Sequence, residues 1–236
     1  MRPIIRGNIP KNDDGTDYIP ERYQAYRGYL IQQIGTYCSY CERPMSHSIA
    51  VEHIQPKSIH DDLEVTWSNL LLCCTNCNST KNSKDVIITD YFWPDIDNTS
   101  RAFIYSSAGS IRPNNNLNDP SLIDKALKTI QLTGLDKEPS DDLKRNPEVT
   151  DRRWLERRNA WERANHAKKR LRHNDTPFMR EQIIDTALEK GFFSIWMTVF
   201  QDDLEMRKAL VHSFLGTAKD CYDEYYNSIP RLNGSI

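Results

Sequence analysis

Two short cysteine pairs carry the plainest chemistry in this sequence. Cys38 and Cys41 stand in "CSYC" and Cys74 and Cys77 in "CTNC", with 32 residues between the pairs. Each C-x-x-C turn can aim two thiolates at one ion, and two such turns complete the tetrahedral four-sulfur set that structural zinc prefers. Five of the six cysteines fall between positions 38 and 77, which in a reducing compartment suits a metal site better than disulfides. Cys73 and the remote Cys221 read as small buried apolar residues. Between the pairs, "VEHIQPKS" sets Glu52 beside His53. A lone histidine is usually solvated or structural. One next to a carboxylate, close to a strand end set by Pro56, is a candidate general base. Asn69 leaves the apolar pattern of "TWSNLLLCC", and Asn78, Lys81 and Asn82 follow Cys77. Taken singly, Asn78 reads as a helix cap and Lys81 as a solvated charge.

The elements that must position these residues follow from the surrounding pattern. "SIAVE" is a short β-prone run that ends at the Glu52–His53 pair, and a helix is expected after Cys77 with Asn78 and Asn82 on one face. Upstream, residues 1 to 20 suit an extended arm. Residues 21 to 35 place Tyr23, Tyr26, Leu30 and Ile34 at helical spacing before Gly35. Downstream, "RAFIY" and "SIRP" around "SSAG" predict a hairpin. Three later stretches predict helices, two of them opened by a cap and proline and closed by glycine: Asp119 to Gly134, and "TPFMREQIIDTALEKG". The third, the long one, spans about 150 to 172. "FFSIWMTVF" and "DDLEMRKALVHSFLG" complete a helical C-terminal half.

With 236 residues, 38% hydrophobic and 27% charged, the chain can bury one large core or two modest ones. No apolar leader opens the sequence and no run approaches a membrane span, so a cytoplasmic location and no membrane partner are expected. A net charge of -2 gives no global sign of nucleic-acid binding. The segment 151–172 is locally basic, with nine Lys/Arg against three Asp/Glu, a net of +6. Trp154 and Trp161, seven apart, share a face of its helix. A solvated amphipathic helix and a phosphate-tracking surface are equally good readings of it.

The run C-x-x-C … E-H-I-x-P … W-x-N-L-L-L-C-C-x-x-C-N-x-x-K over residues 37 to 84 resembles the HNH nuclease family. The resemblance implies a ββα-metal fold, two strands and a helix around a catalytic cation, stapled by a four-cysteine zinc. It implies that His53 is the general base that activates water. Glu52 matches the adjacent metal-binding position, where Asp or His is commoner, and Asn78 matches the final H, where Asn is a known alternative. Asn69 matches the middle N, which hydrogen-bonds the loop carrying the base. Glu52 and Asn78 both offer oxygen, so the implied catalytic ion is Mg²⁺ or Mn²⁺ beside structural Zn²⁺. The expected products carry 5′-phosphate and 3′-hydroxyl ends. Lys57, Lys81, Arg152, Arg153, Arg157 and Arg158 are the candidate nucleic-acid contacts.

Across a wider span, "MRPIIRG", "IGTYCSYCE", "WPDIDNT", "TIQLTGL" and "GFFSIWMTVF" are similar to HNH subunits of Septu-type anti-phage defence, including retron-attached versions. That similarity implies an ABC/SMC-like ATPase partner and, in retron versions, a reverse transcriptase with its RNA–DNA product. The expected fold is α+β, a ββα-metal module at 37–90 between an N-terminal arm and helix (1–36) and a hairpin-containing, mainly helical region (91–236). The leading functional expectation is a metal-dependent endonuclease, with DNA favoured as substrate and RNA such as tRNA open. The alternative is a catalytically silent zinc adaptor that binds nucleic acid or the ATPase. A restriction-type or homing nuclease is a third reading, without a separate module for reading sequence.

Overall fold

The protein is described by a computed structural model covering residues 1–236. A 3-10 turn at Tyr23–Tyr26 runs into α1 (Arg27–Ile34), which buries Leu30 and Ile34 and stops at Gly35 with φ 76°. Only glycine takes that backbone conformation without steric cost. β1 (Ala50–His53) and β2 (Leu70–Cys73) form an antiparallel pair with Glu52 opposite Leu71 and His53 opposite Leu70. α2 (Thr75–Lys81) follows directly. It starts three residues earlier than the sequence reading placed it, because Cys74, extended at φ -80° and ψ 159°, is its N-cap. Cys77 therefore sits in the first turn, three residues on from Cys74, where a helix brings side chains together.

After a short α3 (Thr99–Ala102), β3 (Phe103–Tyr105) and β4 (Ile111–Pro113) form the hairpin. α4 (Pro120–Thr133) is capped by Asp119, whose carboxylate accepts from the Ser121 N–H at 2.8 Å, and ends at Gly134, φ 65°. Then come α5 (Arg153–His173), α6 (Pro177–Lys190), α7 (Phe193–Val199) and α8 (Leu204–Ser213). No helix is long and apolar enough to cross a membrane.

Two buried clusters hold these elements. One joins α1, β1, β2, the cysteine turns, Phe92, Trp93 and α4, and so runs across the boundaries expected at 36/37 and 90/91. The other is built by α5 to α8 around Phe193, Trp196, Leu210 and Phe214. The start of the expected extended arm is packed down: Met1 and Ile4 join the first cluster and Arg2 is buried beside them. The Arg2 guanidinium donates to the carbonyls of Ile34 at 2.8 Å, Leu215 at 2.5 Å and Phe214 at 3.2 Å. One charged side chain thus ties the end of α1 to the end of α8 through backbone carbonyls.

Candidate active site and metal centre

The four cysteines of the two turns converge. Their sulfurs all lie within 4.8 Å of one another, all four are buried, and none forms a disulfide. Cys41 Sγ and Cys74 Sγ are 3.6 Å apart. Zinc at about 2.3 Å from each thiolate would need sulfur separations of roughly 3.8 Å, so the donor set and its size fit a four-cysteine zinc site. Burial pushes the Cys41 and Cys77 thiols well above the usual thiol range, and four ionised sulfurs there require a cation. Burial also opposes ionisation of Cys38, but hydrogen bonds from the surrounding thiols outweigh it and hold its pKa well below the ordinary value. Cys73, buried beside them, stays outside the set and directs its sulfur to the Cys74 carbonyl at 3.3 Å.

Both cysteine turns are fixed to the helical half. Glu42, directly after Cys41, has φ 65° and accepts from Ser194 N at 2.8 Å and Ser194 Oγ at 2.6 Å. Its carboxylate thereby satisfies a free N–H in the first turn of α7. Arg153, at the start of α5, donates from Nη1 to Cys77 Sγ at 3.0 Å and to the Thr133 carbonyl at 2.7 Å. Asp151 holds its other edge at 2.8 and 2.7 Å. Burial works against the charge on Arg153, yet the Cys77 and Asp151 anions outweigh it and keep the guanidinium firmly protonated.

His53 ends β1 with its ring half-buried. Its Nε2 lies 2.9 Å from the Glu64 carbonyl. A carbonyl can only accept, so Nε2 carries the proton and the Nδ1 lone pair is left to act as a base. Tyr23 packs against the imidazole with ring centroids 4.5 Å apart at 66°. Burial lowers the His53 pKa from the usual imidazole value, and the Glu64 hydrogen bond only partly offsets this. The ring is therefore neutral at pH 7. Asn69 is buried and spans the loop that supplies the Glu64 carbonyl. Its Nδ2 donates to Gln55 O at 2.9 Å and Leu63 O at 3.3 Å, and its Oδ1 accepts from Gln55 N at 2.8 Å.

Glu52 departs from the expectation of an open metal ligand. It is 3% exposed; Oε1 meets Lys81 Nζ at 2.7 Å and Oε2 accepts from Tyr40 Oη at 2.6 Å. The Lys81 ammonium also donates to the His53 carbonyl at 2.7 Å. Each carboxylate oxygen thus already has a partner, and the Lys81 ammonium supplies the positive charge beside Glu52. Asn78 is exposed on α2. Glu52 and Asn78 as placed do not make a ready pair of cation ligands.

Three candidate nucleic-acid contacts also turn inward. Lys81 is 1% exposed, as are Arg153 and Arg157. Arg157 donates to the Gly109 carbonyl at 2.6 Å and the Leu135 carbonyl at 3.1 Å. Arg152 is exposed, Arg158 lies over the Trp154 ring at 5.5 Å, and Lys57 pairs with Glu64 at 2.6 Å above the Tyr23 ring. Sequence reasoning named Tyr23 only as part of a helical face, and did not single out Tyr40 or the Glu64 carbonyl as parts of the site. Tyr40 stood in view inside "CSYC", whereas a backbone carbonyl leaves no residue-type signal.

Residues 38–84 match the HNH family, described as HNH endonuclease. A stretch of 74 residues is 34% identical to the Septu protein PtuB of Bacillus thuringiensis, covering 30% of this chain and 29% of that protein.

Proposed function

We propose that this chain, which carries an HNH endonuclease domain at residues 38–84, hydrolyses phosphodiester bonds of nucleic acid as the effector of a Septu-type anti-phage defence system. One observation carries the reading: His53 is pinned at Nε2 beside a zinc-fitting staple, so that Nδ1 alone remains to take a proton. In this mechanism His53 Nδ1 removes a proton from water as that water attacks phosphorus. The Glu64 carbonyl and Tyr23 hold the ring, and Asn69 holds the loop that bears the carbonyl. A base so aimed need not reorient during the attack, which is where most of its advantage over a solvated histidine lies.

A divalent cation, Mg²⁺ or Mn²⁺, would neutralise charge on the phosphate and the leaving oxygen. The exposed Asn78 carbonyl is the chain's accessible donor, and Glu52 would join it only once Lys81 withdraws. The similarity to a Septu protein supports a defence role; an ATPase partner and, in a retron-attached version, a reverse transcriptase with its RNA–DNA product are further parts of this proposal. Tight zinc binding by Cys38, Cys41, Cys74 and Cys77 belongs to the same reading.

The test incubates the full chain, alone and with its ATPase partner, with labelled duplex DNA, single-stranded DNA and total RNA in Mg²⁺ or Mn²⁺. Cleavage leaving 5′-phosphate and 3′-hydroxyl ends, lost in His53→Ala and in EDTA, is the expected result. A parent protein as idle as His53→Ala in every arm would instead establish the zinc adaptor.

A further inference from the structure

The buried arginines of α5 leave its exposed ones in an unexpected pattern. Arg152, Asn159, Arg163, His166, Arg170 and His173 are all exposed and follow one another at intervals of seven, four, three, four and three residues. On an α-helix such intervals keep side chains on one stripe. The buried face, Arg153, Arg157, Ala160, Ala164, Ala167 and Leu171, is a separate stripe. The exposed one holds only Arg, Asn and His apart from the half-buried Glu156, which fills its seven-residue gap and pairs with Arg43, and it has no apolar residue.

The acids near this stripe are already engaged. Arg43 pairs with Glu156, Lys190 with Glu189 at 3.0 Å, and Lys168 with Asp202, while Glu162 faces Arg158 at 3.9 Å. Arg152, Arg163 and Arg170 have no carboxylate within 4 Å. The stripe borders a groove of about 690 Å³ whose walls carry Arg163, His166 and Lys190 together with Glu156, Glu162 and Glu189, the three acids already paired with neighbouring cations. Arg43, two residues after Cys41, also lines it and reaches Asn76 Oδ1 on α2 at 2.9 Å. That contact brings the groove to the helix that carries Asn78.

We infer that this stripe is the surface along which a nucleic-acid backbone enters the site, a reading that rests on the proposed nuclease function. Eighteen residues separate Arg152 from Arg170, about 27 Å of helix. A strand of duplex DNA presents a phosphate every 3.4 Å or so along its axis, so about eight phosphates pass that length. The planar guanidinium fork matches phosphate oxygens, and the stripe lacks the aromatic and aliphatic anchors that centre a protein interface. The cations are local on a chain of net charge -2, so attraction is confined to this face. DNA and RNA share the phosphodiester chemistry it reads.

The experiment measures binding without turnover, in the His53→Ala background, by fluorescence anisotropy across a salt series. The probes are a 30-base-pair DNA duplex and a structured RNA of tRNA size. Adding Arg163→Gln and Arg170→Gln together should flatten the slope of log K against log salt by about 1.8 on the duplex and about 1.4 on single-stranded parts of the RNA. At 0.1 M salt the loss of affinity is on the order of ten- to sixty-fold, since each lost contact contributes up to the salt concentration to the power -0.9. Lys208→Gln, an exposed cation on α8, should change neither quantity. With His53 restored, the double variant should cleave bis(p-nitrophenyl) phosphate, too small to reach the stripe, at the parent rate. Slope and affinity no different from the Lys208→Gln protein on both probes overturn the assignment, whatever the parent cleaves. A parent inactive on every substrate, with the slope still flattened, removes the nuclease reading and leaves the surface standing. The probe with the larger affinity loss identifies which nucleic acid the surface serves.

Discussion

The Glu52–Lys81 pair invites a thermodynamic cycle. Both side chains are almost fully buried, 2% and 1% exposed, with nitrogen and oxygen 2.7 Å apart. Glu52→Gln removes one partner and leaves an ammonium in the core with a neutral amide and the His53 carbonyl. Breaking a buried pair from one side costs about 3–5 kcal/mol, whereas replacing both members with apolar groups of similar volume is often neutral or better. For a chain of this size 1 kcal/mol moves the melting temperature by about 2–4 °C, so Glu52→Gln should melt roughly 6–20 °C below the parent. Glu52→Gln combined with Lys81→Met should recover most of that loss. Lys81→Met alone should behave differently with pH, because burial already raises the Glu52 pKa, against the opposing Lys81 and Tyr40 contacts. With Lys81 gone, a carboxyl whose folded pKa lies above its unfolded value stabilises the fold when protonated. Stability is then full below the unfolded pKa and is lost as pH rises through the folded one. Lys81→Met should therefore melt higher at pH 5 than at pH 7, relative to the parent at each pH. Thermal melts of the zinc-loaded chain read all three variants. A Glu52→Gln melting point within 2 °C of the parent, or a double variant equal to the sum of the singles, would refute the idea that the pair is structural.

Elemental analysis should find one zinc per chain, and Cys77→Ser should lose it together with folded structure, because structural zinc sites contribute on the order of 10 kcal/mol. His53→Ala should lower cleavage by roughly 10²–10⁴-fold while zinc content and melting temperature stay at parent values; Asn69→Ala should lower both cleavage and stability, since it frees a buried loop. Burial depresses the His53 pKa and so extends the range of the neutral base toward lower pH; the acid limb of kcat/KM should therefore lie below the ordinary imidazole pKa, and an acid limb above it would discredit the assignment. Arg153→Gln should speed zinc release to a chromogenic chelator and shift the thiolate-to-metal charge-transfer band of the Co²⁺-substituted protein, neither of which a role in packing alone would alter.

Much of the site was legible because its signals are residue types at fixed intervals. The cysteine spacing predicted the four-sulfur cluster, and "VEHIQP" against "NLLLCC" predicted the strand pair that ends at His53. Caps and glycines marked α4 and α6 with residue accuracy. What sequence hid was burial of charge. In α5 the two tryptophans drew attention as the apolar face, yet both are only half-buried. Ala160, Ala164, Ala167 and Leu171 define the packed face, and stepping back along it by three or four residues lands on Arg157 and Arg153. The periodicity was present; the expectation that arginine faces water overrode it. Lys81 misled for the same reason, since its partner Glu52 lies on a strand 29 positions away and no local pattern joins them.

The contact between Arg153 and Cys77 bears on the order in which the chain matures. Cys77 presents a charged acceptor only as a metal-bound thiolate; as a buried thiol it is nearly neutral and a weak hydrogen-bond acceptor. The anchor that seats α5 against Thr133 and Gly134 thus reaches full strength after the ion has arrived. During synthesis both cysteine turns leave the ribosome well before Arg153, so the four-sulfur set is complete before the helical half can dock. A nascent chain starved of zinc would complete its length with α5 to α8 unseated, the state most exposed to proteases.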